Sequence, residues 1–269
     1  MGFDFDRVRT QARRLPASVG WFDLADDLGR TGVAILSSLK VPLADTQKFC
    51  LATLFVRVHD TFQSAILLLE HGMIPSARDL LRSATEGAIA SFAVKSDAAF
   101  IDELIGAHRK HQLTLAEVLN KDAAYKRTLS SEQIAEINRV VSENKQLEVQ
   151  QGSKFRPINW ADVAVRHCPA LYDLLYRDLS TDGTHVSVNA LNRYVQADAN
   201  LQITALKGGP DISELPEALS LACLVFLWAL HPVAEMFELD DVTMKISDGL
   251  RRFRELSNGT PSTDSAREA

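Results

Sequence analysis

The sequence is poor in the residues that interrupt helices or cross-link chains. Its 269 residues include 13 glycines, 9 prolines and 3 cysteines, and several glycines and prolines stand between apolar runs. This composition favours long helices joined by short loops. Cys50, Cys168 and Cys223 are far apart in the sequence and odd in number, so we expect buried free thiols in a reducing compartment. We therefore predict a cytoplasmic protein.

The motifs of the common cofactor and metal sites are also missing. The chain has no Walker loop, dinucleotide fingerprint, nucleophile elbow or zinc-finger spacing. His108 and His111 are three residues apart with Glu103 nearby, which is half of a metal site, but no second carboxylate–histidine pair completes it. We expect no cofactor and no metal, with the two histidines on a solvated helix face.

The net charge of −6 argues against broad, non-specific binding of nucleic acid, which needs a basic surface to neutralise phosphates. Local basic patches remain, with four arginines in residues 7–14 and three in residues 251–254. Either patch could meet RNA or an acidic protein partner, although basic patches are common on protein surfaces.

One uncharged segment approaches the length of a membrane span. Residues 218–234 contain no charged side chain, but they include His231 and Pro232, lack flanking basic residues and follow Glu214 and Glu217. The N-terminus also has no apolar region typical of a secretory signal. We predict a buried central helix and no contact with a membrane.

Apolar residues recur at helical spacing in residues 45–69, which predicts a long first helix of a hairpin. His71 and Gly72 end this helix, and Pro75 and Ser76 begin a second one. The short connection predicts that the two helices pack antiparallel.

Capping and spacing signals predict the remaining helices. Ser130 and Gln133 form a capping box, Asn159 can cap the helix that follows it, and Pro169 can occupy a first turn. Pro232 is expected to kink its helix. Residues 200–210 could form either a short strand or an extended loop. The predicted helices cover residues 97–120, 130–150, 160–167, 169–179, 216–237 and 241–256.

These elements predict an all-α fold, an irregular bundle of long antiparallel helices. We assign residues 1–256 to a single helical domain. Residues 257–269 have the composition of a disordered tail.

The densest polar cluster ends the helix that begins at Pro169. On a helix, Arg177, Ser180 and Thr181 share one face, and Gly183 allows the chain to turn so that His185 folds back towards Arg177. A guanidinium can hold a phosphate while an imidazole moves protons, which is the chemistry of metal-independent RNA cleavage. Alternatively, Ser180, Thr181 and Asp182 cap helix ends and His185 bonds a carbonyl. The cluster consists of Arg177, Asp178, Ser180, Thr181, Asp182 and His185.

A second polar row lies at four-residue spacing on the helix that begins near Pro75. Arg78, Arg82 and Glu86 follow one another, and the row then continues into the apolar residues Ile89, Ala90 and Ala93. The simplest interpretation is an intrahelical ion pair between Arg82 and Glu86. The alternative is that this pair orients the polar cluster from a neighbouring helix, with Arg57 and Asp60 in the same network.

Three segments together resemble a known family. The run from Ala77 to Glu86, then Trp160, then the run from Tyr176 to Ser180 with His185, is similar to the uncharacterised bacterial domain-of-unknown-function family 5677. That family has a helix with Arg-Ser-x-x-Glu and a later Leu-Ser element followed by a histidine. The resemblance covers about residues 45–195 and implies a helical fold without an established reaction.

A more distant similarity is to HEPN-type helical domains, many of which are metal-independent ribonucleases of toxin or antiviral systems. Their motif is an arginine, a polar residue and then a histidine after about four to six intervening residues. Here Asp178 follows Arg177, seven residues lie between Arg177 and His185, and Gly183 interrupts the helix.

We therefore hypothesise a ribonuclease of a bacterial stress or phage-defence system that acts on RNA, forms a homodimer and needs no cofactor. His185 is the predicted general acid and base, Arg177 the phosphate clamp and Ser180 part of the same polar pocket. Arg82 and Glu86 are the predicted orienting pair, with Arg78 and Asp178 in support. The alternative hypothesis is a non-catalytic helical module that binds a small ligand or a protein partner.

Overall fold

The computed structural model describes residues 4–182, 191–200 and 202–259. Within these residues the fold is all-α, as predicted, with one small antiparallel hairpin of strands. Contacts divide the chain into two compact units, of which the first joins Met1–Ser96 to Val163–Ala269 and the second covers Asp97–Asp162. The helices are α1 (Phe5–Arg14), α2 (Pro16–Ser38), α3 (Thr46–Glu70), α4 (Ile74–Ser96), α5 (Phe100–Lys121), α6 (Ala123–Thr128), α7 (Ser131–Gln151), α8 (Trp160–His167), α9 (Pro169–Leu171), α10 (Arg177–Asp182), α11 (Leu215–Met236) and α12 (Asp240–Gly259), with a π turn (Tyr172–Tyr176) between α9 and α10.

The predicted hairpin is the helix pair α3–α4. Gly72 ends the connection's tight turn with a φ of +67°, where a Cβ would lie 3.0 Å from the backbone nitrogen of Asp211. The two helices pack along their length, and Gly87 of α4 permits this close approach because an added Cβ would lie 2.6 Å from a methyl group of Val58. The boundaries of both helices agree with the apolar pattern to within a residue or two.

Helix α11 lies at the centre of the first unit, in contact with α2, α3, α4 and α12. Its Phe226 ring stacks on Phe62 with centroids 4.4 Å apart, and Phe55 and His59 also contact it. Among the described residues α11 is the helix long and apolar enough to cross a membrane, but most of that apolar window is buried by its neighbours. The prediction of a buried central helix is confirmed, and Pro232 lies within it.

Helix α2 was not predicted from the sequence. Its 23 residues contain Gly20, Gly29 and Gly32, which weaken helix propensity and break the apolar periodicity. Its N-terminus has Pro16 in the first turn. Tertiary packing against α11 supplies the stabilisation that local propensity does not.

The second unit consists of α5, α6 and α7, with the first residues of α8. The predicted capping box is present at the start of α7, where Ser130 and Gln133 exchange side-chain and backbone hydrogen bonds. The buried Asn144 amide of α7 accepts a 2.9 Å hydrogen bond from Arg109 of α5. This buried polar contact fixes how the two helices face each other.

The sequence left open whether residues 200–210 form a strand or an extended loop, and residues 203–206 form a strand. They form β2 (Ile203–Leu206), which pairs antiparallel with β1 (Val195–Ala197) through Val195 opposite Leu206. The last helix, α12, continues to Gly259, three residues beyond its predicted end. Residues 260–269 of the predicted tail lie outside the described residues.

The contact between α2 and α3 gives a stability prediction. A Cβ on Gly32 would lie 2.3 Å from the buried His59 ring and 3.0 Å from Phe226, whereas a Cβ on Gly29 meets nothing within 4 Å. Gly32→Ala should lower the free energy of unfolding by about 1–3 kcal/mol through overpacking. Gly29→Ala should raise it by about 0.5–1 kcal/mol because alanine favours the helix. Urea unfolding followed by circular dichroism measures both, and equal stabilities of the two variants would contradict the packing described here.

Candidate functional site

The end of one helical run carries three of the seven predicted site residues: Arg177, Asp178 and Ser180. Pro169 starts this run, which passes through the π turn and ends at Asp182. Leu171, Leu175 and Leu179 are completely buried and hold its inner side against the rest of the first unit. The π turn inserts one residue, so that the backbone N–H of Arg177 bonds the carbonyl of Tyr172, five residues earlier. Such turns often occur at functional sites.

Four side chains from α4 and this run form what we call the arginine–tyrosine network: Arg82, Glu86, Tyr176 and Ser180. The Arg82 guanidinium donates to the Ser180 hydroxyl at 3.1 Å and to the Tyr176 hydroxyl at 2.9 Å. The Tyr176 hydroxyl donates in turn to the Glu86 carboxylate at 3.2 Å, and Arg82 and Glu86 lie 3.4 Å apart. The Ser180 hydroxyl donates to the Tyr176 carbonyl. The predicted Arg82–Glu86 ion pair is therefore present and reaches the polar cluster on α10.

All four side chains are half-buried, so the network is reachable from solvent without being fully hydrated. The pKa of Tyr176 is raised, first by burial and then by the nearby Glu86 carboxylate, and the Arg82 charge only partly offsets this. The Tyr176 hydroxyl therefore stays protonated at neutral pH. It can act as a hydrogen-bond donor but not as a base.

Arg78 forms a second polar contact between the same elements, one turn before Arg82. Its guanidinium is buried and lies 3.3 Å from Asp178 of α10, 3.0 Å from Glu217 and 3.7 Å from Glu214. Glu214 also pairs with Arg193. A buried guanidinium needs such partners, because an unpaired charge in a low-dielectric interior is strongly destabilising. Arg78 thus fastens α10 and the start of α11 to α4.

The structure brings five of the seven predicted site residues into these two networks: Arg82, Glu86 and Ser180 in the first, and Arg78 and Asp178 in the second. Arg177 lies in neither, because its side chain is 68% exposed and pairs with Asp173 at 3.8 Å. His185 lies outside the described residues. Arg57, which was expected to join Arg82, contacts the Ser83 hydroxyl.

Two residues of these networks, Tyr176 and Glu217, were not predicted as site residues by the sequence analysis. Tyr176 precedes Ser180 by four residues, and this spacing could have indicated that both face the same neighbour. Glu217 lies in the first turn of α11, and no local pattern connects it with Arg78, which is 139 residues away in the sequence. The predicted basic patches are largely ion-paired: Arg13 contacts Asp26 and Glu70, and Arg251 contacts Asp248 and Glu255.

In the part of the chain that the structure describes, no group of three or more His, Cys, Asp or Glu side chains could hold a metal ion. Cys168 and Cys223 are buried free thiols as predicted, whereas Cys50 is only half-buried. Burial raises the pKa of Cys168 to about 12, which leaves this thiol protonated and unreactive at neutral pH.

Comparisons with known proteins add one match. Residues 48–202 match the sequence model of DUF5677, a family of unknown function. This region contains nearly all of α3 together with α4 and α10, and with them Arg78, the whole arginine–tyrosine network and His185, whereas α1, α2, α11 and α12 lie outside it. No curated protein matches the chain, and no solved structure matches it.

The arginine–tyrosine network predicts a stability difference between two tyrosines on the same run. Tyr176→Phe removes the hydroxyl that connects Arg82 with Glu86 and should lower the free energy of unfolding by about 1–2 kcal/mol, since hydrogen bonds to charged groups are the stronger ones. Tyr172→Phe is the matched control, because the Tyr172 ring only stacks on Tyr176, and it should change stability by less than about 0.5 kcal/mol. Equal effects in urea unfolding would contradict the network.

The raised pKa of Tyr176 gives a dependence on pH. The folded pKa lies above the reference value of 10.0, so the stabilisation that it reflects is complete below pH 10 and is lost as the pH rises through the folded value. The stability difference between wild type and Tyr176→Phe should therefore be constant near neutral pH and shrink in alkaline solution. Urea unfolding at a series of pH values up to about 11 measures it. A difference that grows with pH would contradict the assigned direction of the shift.

Proposed function

Because the chain belongs to DUF5677, a family of unknown function, we propose a function from its own residues: metal-independent cleavage of RNA, resembling that of HEPN-type domains. One observation carries the proposal. Arg82 and Arg78 fasten the last turns of α10 to α4, so the chain enters the segment that contains His185 from a fixed position, with Arg177 exposed on the same helix. An arginine on this helix and a histidine three residues after its last residue in the sequence have the chemistry that phosphodiester cleavage needs.

In the proposed reaction His185 takes the proton of a ribose 2′-hydroxyl, and the resulting oxygen attacks the adjacent phosphorus. The imidazolium of His185 then gives this proton to the 5′-oxygen as the P–O5′ bond breaks, and the products carry a 2′,3′-cyclic phosphate and a 5′-hydroxyl. Arg177 holds the phosphate and stabilises the extra negative charge of the transition state. The side chains of Arg177 and Asp173 are both exposed, and an exposed ion pair contributes little to stability. Arg177 can therefore exchange Asp173 for a phosphate at little cost in free energy.

The remaining residues orient this pair. Arg82 holds Ser180 and Tyr176 in place, and Glu86 balances the Arg82 charge. Ser180 is held at the same helix end as part of the proposed pocket. We place the activity in a bacterial stress or phage-defence system, with RNA as the partner, and expect the active protein to be a homodimer, since sites of this kind commonly form across two copies.

The proposal predicts RNA cleavage that depends on two named residues. Wild type should cleave a mixed RNA pool in the presence of EDTA and leave 2′-O-methyl RNA intact, because the attacking hydroxyl is absent there. His185→Ala should reduce cleavage by about 10²–10⁴-fold, as expected for loss of a general acid and base. Arg177→Ala should reduce it by about 10²–10³-fold through loss of charge stabilisation. Gel analysis of end-labelled RNA measures both.

Matched controls are His111→Ala and Arg139→Ala, an exposed histidine and an exposed arginine on other helices, and both should cleave like wild type. Equal cleavage by wild type and His185→Ala, or no cleavage by wild type under any condition, would refute the ribonuclease.

A second candidate is a non-catalytic helical module that binds a small ligand or a protein partner. The observation that favours it is that Arg78 and Arg82 are engaged by side chains of the same protein, which is typical of structural fastening. Under this alternative His185→Ala lowers the free energy of unfolding by about 1–3 kcal/mol, the effect of one lost buried hydrogen bond. Thermal unfolding of the same variants used for the RNA assay therefore distinguishes the two candidates.

A further inference from the structure

A groove of about 570 Å³ opens between α2 and α3, on a part of the first unit away from the arginine–tyrosine network. Its volume lies in the usual range for small-molecule sites, and most of its lining surface is apolar. Phe62 and Ile66 form its buried wall, while Val33 and Leu67 are exposed along its edges. The apolar lining residues are Ala25, Val33, Phe62, Ile66 and Leu67.

One end of the groove contains a neutralised charge cluster. Glu70 is only 3% exposed, and its two carboxylate oxygens are paired with Arg9 at 2.9 Å and with Arg13. Arg13 also donates to Asp26 at 2.8 Å, and its guanidinium lies 4.3 Å from the centre of the Phe22 ring. Because these charges neutralise one another, a ligand's charge is recognised elsewhere in the groove. It is a rigid polar boundary to the apolar wall.

The rim of the groove carries a positive charge that is only weakly held. The Arg30 side chain is 71% exposed, and the carboxylate beside it, Asp27, is also bound by Arg252 at 2.6 Å. Two guanidiniums therefore share the Asp27 carboxylate, one on each of its oxygens. The pKa of Asp27 is lowered, with Arg252 as the main cause and Arg30 as a smaller one. Arg30 thus loses little when it turns to another anion.

We propose that this groove binds a small amphipathic anion, a carboxylate or sulfonate attached to an apolar body. The apolar body lies along Phe62, Ile66 and Leu67, where it removes exposed apolar surface from water. The anionic group pairs with Arg30 at the rim, and the Gln63 amide, which also lines the groove, supplies a hydrogen-bond donor. The site shares no residue with the proposed RNA-cleaving site, so either proposal can fail without the other.

Two dyes that share a ring system and differ by one sulfonate group test the apolar contact and the preference for an anion separately. 1-Anilinonaphthalene-8-sulfonate carries a sulfonate, and N-phenyl-1-naphthylamine has the same ring system without it. We expect wild type to bind one molecule of the sulfonate, measured by fluorescence titration. Leu67→Asp should weaken binding of both dyes by about tenfold or more, because it places a charge on the apolar edge. Arg30→Glu should weaken only the sulfonate, by about tenfold, and less so at high salt.

The control for Leu67→Asp is Val56→Asp, which lies on the same helix, is similarly exposed and does not line the groove. The Val56→Asp variant should bind both dyes as wild type does. Equal thermal unfolding temperatures of wild type and all variants establish that none of the substitutions destabilises the fold. Unchanged dye binding by Leu67→Asp overturns the site, and equal weakening of both dyes by Arg30→Glu overturns the preference for an anion. Conversion of a dimer into a monomer by Leu67→Asp, measured by light scattering, assigns the groove to a second copy of the chain and also overturns the proposal.

Discussion

The arrangement of the first unit depends on the burial of charge on one helix. Helix α4 presents Arg78 to the interior, and an isolated guanidinium there would cost several kcal/mol. Carboxylates from α10 and from the start of α11 meet it, so these elements can pack on α4 only in a position that brings their acids within reach. Apolar packing supplies the stability, since α11 is surrounded by other helices, but apolar packing alone tolerates small shifts. The ion pairs remove that freedom.

The arginine–tyrosine network extends the same constraint towards the surface. It has one guanidinium, one carboxylate and two hydroxyl groups, and each hydroxyl both accepts and donates. Because the group is half-buried, its hydrogen bonds are stronger than they would be in water, while Tyr176 and Ser180 stay partly exposed to solvent. The network thus fixes the position of α10 on α4 without closing it off from solvent.

The fold could be predicted to a large extent from the sequence, because helical periodicity and capping are local. The α3–α4 hairpin, the capping box of α7 and the apolar α11 follow from residues within one or two turns of each other. Helix α2 could not be predicted in this way, because three glycines interrupt its apolar periodicity and its stability comes from packing against α11. In the site, the four-residue spacing of Arg82 and Glu86 was sufficient to predict their pairing. Tyr176 and Glu217 could not be placed in the same way, because their partners Arg82 and Arg78 lie 94 and 139 residues away and only the tertiary fold brings them together.

The π turn before α10 has a consequence for comparing related chains. It adds one residue to a helix whose leucines on one side and polar groups on the other both keep their partners. Deleting that residue would rotate everything after it by about 100°. A homologue that lacks it would have to move either its apolar contacts or its hydroxyl groups away from α4. The number of residues in the π turn is therefore a simple marker in an alignment. Related chains that keep the extra residue are expected to share the arginine–tyrosine network, even where the rest of the sequence differs.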